Sequence, residues 1–199
     1  MFRPIRVLGT AALAAGIASL ACSSSTLAPA SFDNVVDTIT LYALSTGPLN
    51  QPNAYSINTG IGGGVETWNV GSNFEFAFDL DSAGQPAFLP LEVLNLTVPN
   101  TVLPGLIKAT NTTFDLMTTP PSNGWITSDT IPIQVGDLYY VRTAVTTCAT
   151  LGVPLYGKVE VLALDSVVLG DTVTHTVKFQ SLANQNCGYR SLKPGVPSS

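Results

Sequence analysis

Basic side chains are scarce in this chain. Eight Lys and Arg stand against thirteen Asp and Glu, a net charge of −5, and two of the eight, Arg3 and Arg6, fall within the first six residues. A chain so poor in cations has no electrostatic footprint for a phosphate backbone, which excludes nucleic acid as a partner. Histidine is scarcer still, with His175 the only one. No Cys-x-x-Cys and no cluster of soft ligands occurs, so zinc and haem lack their usual ligand sets and no cofactor is expected. A Ser-His-Asp triad would have to rest on His175 without a nucleophile-elbow sequence. Helical signals are missing too. No run of ten or more residues after the leader shows helical periodicity with caps, and no second hydrophobic span follows the first.

What is present begins with that leader. Arg3 and Arg6 form a positive start, Val7 to Ala18 is a short apolar run, and small residues lead to Cys22. This is the order of a secretory signal peptide, and the run is too short to span a bilayer. Ser19-Leu20-Ala21-Cys22 resembles the lipobox of bacterial lipoproteins, in which the cysteine is lipidated and becomes the first mature residue. The reading is therefore a signal peptide over 1–21, lipidation at Cys22 and a flexible tether over 22–33. The location that follows is the bacterial cell envelope, anchored by lipid to the outer or cytoplasmic membrane. A competing cut after Ala28-Pro29-Ala30 would instead give a plain secreted or periplasmic protein. Removing residues 1–21 leaves 178 residues and a net charge of −7, enough chain for one domain with a sizeable core.

The body, 34–193, reads as strands separated by turn residues, with a short tail over 194–199. Val35 to Leu44 is β-branched and roughly alternating, and Tyr55 to Asn58 and Val65 to Trp68 flank a glycine cluster at 60–64. Phe74 to Asp81 has the clearest alternation, which would place Phe74, Phe76, Phe78 and Leu80 on one face. A turn at Ser82 to Gln85 leads into Ala87 to Leu94. Thr113 to Met117 looks like a further short strand. Ile131 to Val135 and Leu138 to Val145 read as a hairpin around Gly136-Asp137. Tyr156 to Leu164 and Thr172 to Gln180 complete the set. Turn spacing of about 8–12 residues favours an all-β fold, a single-domain antiparallel β-sandwich or open barrel.

Few patterns carry chemistry. Asp79-x-Asp81-x-x-Gly84 invites calcium, but Ala83 and Pro90 occupy positions where an EF-type loop needs ligands. Asp79 with Asp81, or Glu160 with Asp165, are formal carboxylate pairs for glycoside hydrolysis, although acidic residues on solvated strand faces explain the same letters. His175 shares an apolar face with Val173, Val177 and Phe179. That face and Phe74, Phe76 and Phe78 are the candidate surfaces for a small apolar ligand between sheets. The two body cysteines, Cys148 and Cys187, are expected to bond in an exported domain. Closing that 40-residue loop is worth ~4 kcal/mol. Cys148 ends the run from Leu138, and Cys187 follows the run Thr172 to Gln180. If the three runs are consecutive antiparallel neighbours, both cysteines lie toward one edge of the sheet.

Tyr140-Val-Arg-Thr143, Tyr156-Gly-Lys-Val159 and Asn186-Cys-Gly-Tyr-Arg-Ser-Leu192 resemble a family of uncharacterised bacterial cell-envelope lipoproteins, over about residues 36–196. The rhythm from 136 to 180 is also similar to HmuY-like haem-binding lipoproteins. Haem ligation there uses two histidines, so with His175 alone, and Met117 as the single soft partner, that activity does not carry over. The expected function is a lipid-anchored envelope protein with a non-catalytic binding or structural surface role. A protein, glycan or small molecule is its ligand, and the membrane is its partner through the anchor. The alternatives are a small apolar-ligand carrier with a pocket between sheets and, behind it, a carbohydrate-active hydrolase.

Overall fold

Alternation of β-branched and aromatic residues with polar ones suits a strand that buries one face, and the regular structure of the described residues is nearly all of this kind. A computed structural model describes residues 27–60, 63–67, 73–96, 102–144, 148 and 150–197. Cys22 and the leader, 1–21, lie outside the described residues. The strands, in order, are β1 (Val36–Tyr42), β2 (Ala54–Ser56), β3 (Gly64–Glu66), β4 (Phe76–Leu80) and β5 (Pro86–Pro90). They continue with β6 (Gly105–Ala109), β7 (Ile131–Pro132), β8 (Leu138–Arg142), β9 (Tyr156–Leu169) and β10 (Thr172–Asn184). They form two antiparallel five-stranded sheets, one ordered β1-β10-β9-β8-β6 and the other β3-β2-β4-β5-β7. The sheets stack as a sandwich and do not close into a barrel.

The core between them is aromatic. Tyr55, Phe76, Phe88, Tyr139 and Phe179 are buried with ring centroids 4.3 to 6.1 Å apart, in stacked, tilted and edge-on arrangements. Each such pair adds about 0.5–1.5 kcal/mol beyond the area it buries. The glycine cluster serves this core. Gly63 has φ +96, and a Cβ there would lie 2.3 Å from the Tyr55 hydroxyl, so only glycine fits beside that ring.

A second, smaller core lies on the outer face of the long sheet. Phe114, Met117, Leu138, Leu182 and Leu192 close it, so the segments around 114 and 192 cover what would otherwise be an exposed sheet face. Lys158 is buried there. Its Nζ donates to the Phe114 carbonyl at 2.7 Å and sits 4.4 Å from that ring's centroid. Burial pushes its ammonium pKa down, and the nearby Asp115 opposes that shift.

Several local expectations change. Phe74 does not join Phe76 and Phe78: it packs with Ala54, Ala77 and Leu91, while Phe76 and Phe78 enter the main core. The alternation breaks at Glu75, whose carboxylate turns inward to accept from Ile57 N at 2.7 Å. Leu91–Leu94 forms a turn of 3-10 helix instead of extending β5. Thr113 to Met117 is a turn, with Met117 N bonded back to Thr113 O. The segments around Gly136-Asp137 are not a hairpin. β7 pairs with β5 in the short sheet and β8 with β6 and β9 in the long one, so this turn carries the chain between sheets.

Candidate functional site

The long sheet has two unlike ends. At one end meet the start of β1, the ends of β8 and β10 and the start of β9, because Val36 pairs with Leu182, Asn184 with Tyr156, and Arg142 with Tyr156. The cysteines follow β8 and β10 at this end. Cys148 and Cys187 form a disulfide with their Cα atoms 5.5 Å apart. The consecutive order β8, β9, β10 is what brings them together.

Around the disulfide the backbone is held by amide side chains. Asn186 Oδ1 accepts from Ser31 N at 2.7 Å and Phe32 N at 3.0 Å, and its Nδ2 donates to Phe32 O at 2.8 Å. Asn184 Oδ1 accepts from both Asn186 N and Asn186 Nδ2, which fixes that side chain. Tyr189 Oη donates to Ala28 O at 2.9 Å, and Asn34 Nδ2 donates to the carbonyls of Ser191 and Lys193. Asn34 and Gly195 also exchange backbone bonds in both directions at 3.0 Å. Residues 27–33, expected as part of a flexible tether, are therefore docked on the domain, and the expected tail is pinned at Gly195. Beside them lies a crevice of about 390 Å³ lined by Leu27, Pro29, Phe32, Leu151, Cys187 and Tyr189.

At the other end β9 and β10 run on as a two-stranded ribbon past their neighbours, since β1 pairs only as far as Thr176 and β8 only with 156–160. His175 sits on this ribbon, half-exposed, with Nδ1 3.0 Å from the Ser166 hydroxyl. It is not part of the core, although Val177 and Phe179 on its face are. Phe76 and Phe78 are sealed between the sheets and Phe74 is buried in its own small cluster, so none offers a surface to a ligand. The structure thus separates the residues suggested as ligand-facing: two phenylalanines in one core, the third in another, and the histidine on the ribbon.

The acidic motifs are occupied by local structure. Asp79 Oδ1 accepts from the Ser45 hydroxyl and amide, and Asp81 Oδ1 accepts from Ala83 N and Gln85 N, closing the β4–β5 turn. Glu160 is held across the ladder by Gln180. Among the described residues no group of three or more His, Cys, Asp or Glu is placed to hold a metal.

Two features escaped the sequence reading. Glu75 is only 2% exposed, and burial, with help from the charge of Glu66, pushes its carboxyl up to about 8. Glu66 itself accepts from Thr59 Oγ1 at 2.7 Å and borders an open depression with Asn50, Thr67 and Asn73. Nothing in a strictly alternating FEFAFDLD run signals that its glutamate turns inward. The second feature is a cation–aromatic ledge. Arg142 lies 4.9 Å from the Trp125 ring centre and Arg190 5.3 Å from that of Tyr156, and the two rings are 6.1 Å apart. Arg142 Nε donates to Leu103 O, and Arg190 donates to Pro120 O and Ser122 Oγ. The guanidiniums are engaged by carbonyls and ring faces, so this ledge fastens the 103–125 segment to the sheet.

No family model, curated protein or solved structure matches this chain, and the reading of its surfaces rests on geometry.

Proposed function

We propose that the protein is a lipid-anchored bacterial envelope protein with a non-catalytic binding or structural surface role, attached to the membrane through Cys22. The observation that carries this reading is the docking of residues 27–30. Tyr189 holds Ala28, and Leu27 packs within 2.5 Å of where a Cβ on Gly188 would stand. A signal-peptidase cut after Ala30 would discard folded parts of the domain, whereas processing at Cys22 keeps them all. The order of charge, apolar run and Ser19-Leu20-Ala21-Cys22 supports the same cut. A surface role, as opposed to a carrier's, is supported by the filled aromatic interior, which leaves the outside of the domain to meet a partner.

Expression in a bacterium with a labelled fatty acid tests this. Wild-type protein is expected in the membrane fraction, labelled and with residue 22 as its first, and Cys22→Ser is expected to lose the label and either be released or stay as uncut precursor. Soluble, unlabelled wild-type protein beginning at Ser31 would refute the anchor.

A further inference from the structure

The disulfide end of the long sheet carries an outward-facing apolar rim. Phe32 is 57% exposed and Leu151 49%, and both line the crevice beside the disulfide. A second depression of about 340 Å³ shares Phe32 with it and adds Val35 and Asp33. Phe32 is held in this position because its amide and carbonyl are both bonded to Asn186. A fixed, exposed aromatic beside leucine and valine is costly to leave in water and suits the boundary between headgroups and acyl chains.

The chain leaves the domain at this same end. Five residue steps separate Leu27 from Cys22, which reach about 18 Å at full stretch. β10 alone, with thirteen residues, is about 43 Å long. An anchor at Cys22 therefore holds the disulfide end against the bilayer, and the tip of the ribbon lies beyond twice the tether's reach. The ribbon also exposes apolar side chains, Val168, Leu169 and Val173. Of the two apolar surfaces, the rim is the one the anchor holds at the membrane; the ribbon meets it only where the domain lies on its side.

We propose that the disulfide end docks on the lipid bilayer, with Phe32, Val35 and Leu151 seated in its interfacial layer and the β9–β10 ribbon directed away from it. This rests on lipidation at Cys22. Asp33 stands in the same rim, so the surface it fits is zwitterionic, and anionic lipid opposes it.

The test uses lipidated full-length protein reconstituted into phosphatidylethanolamine–phosphatidylcholine vesicles, floated on a density gradient and read by amide hydrogen exchange. The reference is the unlipidated mature chain, starting at residue 22 with Cys22→Ala. Amides over 31–36 and 151–153 are expected to exchange roughly tenfold more slowly on the vesicles, while those over 166–174 keep their rate. Phe32→Asp with Leu151→Asp is expected to float equally well but to lose the slowing, with unchanged exchange in the middle of β10 showing that it is folded. Wild-type protein that floats without slowing at the rim, or with slowing at the ribbon, overturns the orientation and leaves the anchor standing. Wild-type protein that does not float overturns the anchor and the orientation with it. If the double variant fails to fold, the wild-type comparison decides alone.

Discussion

The two ends of the long sheet are secured by opposite means. At the disulfide end a covalent bond, three asparagines and a tyrosine hold two irregular segments, the incoming 27–33 and the outgoing 186–195. At the tip of the ribbon, beyond the bonds of Ala43 to His175 and Thr46 to Thr174, β9 and β10 pair with each other, with Val168 opposite Val173 and both exposed, 70% and 54%. The difference shows where a small β-domain needs specific bonds. Irregular backbone leaves donors and acceptors that must be matched one by one, whereas paired strands satisfy their own. Stability is therefore graded along the sheet, and changes at one end should not be felt at the other.

The largest expected effect comes from Glu75, which connects to the disulfide end through Ile57: the Ile57 amide donates to Glu75 and its carbonyl accepts from Gln185. The Glu75 carboxyl is raised from 4.5 to about 8, mainly by burial. Between those values the folded state keeps a proton that the unfolded state has lost. Its contribution is thus fully present below pH 4.5, falls as pH rises toward 8, and levels off above. The full change is on the order of 5 kcal/mol. Urea unfolding at pH 5, 6.5 and 8.5 should show the decline, and Glu75→Gln, which keeps an acceptor for Ile57 N, should flatten it.

Removing the staple is next. Cys148→Ala with Cys187→Ala should lower stability by ~2–5 kcal/mol, measured by denaturant unfolding. The same variant sharpens the contrast between the ends: amides at 151–153 and 186–189 should exchange faster, and those of the ribbon should not. Equal acceleration at both ends would show that the sheet opens as one unit.

Asn186→Ala removes the acceptor of two backbone amides and the donor to Phe32 O. The expected loss is about 1–3 kcal/mol, with faster proteolysis between residues 27 and 34. Asn186→Asp keeps the acceptor and should lose less. At the ribbon the effect is smallest: Val168→Thr with Val173→Thr keeps the β-branched shape and should change stability by less than about 0.5 kcal/mol. A larger loss would mean that the ribbon packs on something beyond its own two strands.

Legibility followed the range of the interactions. The β4–β5 hairpin was readable because Asp81 and Gly84 make its turn from adjacent residues. β8, β9 and β10 were readable because each alternates and is followed by a turn, and from that order the cysteine pairing follows. The reading around Gly136-Asp137 identified a turn but not its partners. Gly136 N bonds to Val161 O and Val161 N to Asp137 O, contacts across twenty-four or more positions that no local pattern encodes. Thr113 to Met117 has strand-like letters, yet Lys158 reaches across from β9 to the Phe114 carbonyl and the segment turns over it. The apolar rim had no signal at all, since Phe32 and Leu151 are far apart in sequence and each lies in a polar or small-residue stretch.

The all-β class, the antiparallel C-terminal unit and the cysteine pair were legible from the residues alone, because side-chain alternation and turn chemistry act between neighbours. The parting of Phe74 from Phe76 and Phe78, the inward turn of Glu75 and the docking of residues 27–33 on the domain came with the three-dimensional packing. Each of those depends on a partner supplied by another element: Ile57 for Glu75, Leu91 and Ala54 for Phe74, Asn186 and Tyr189 for the N-terminal segment. A hydrogen bond between residues more than 150 positions apart leaves no mark on the sequence around either one.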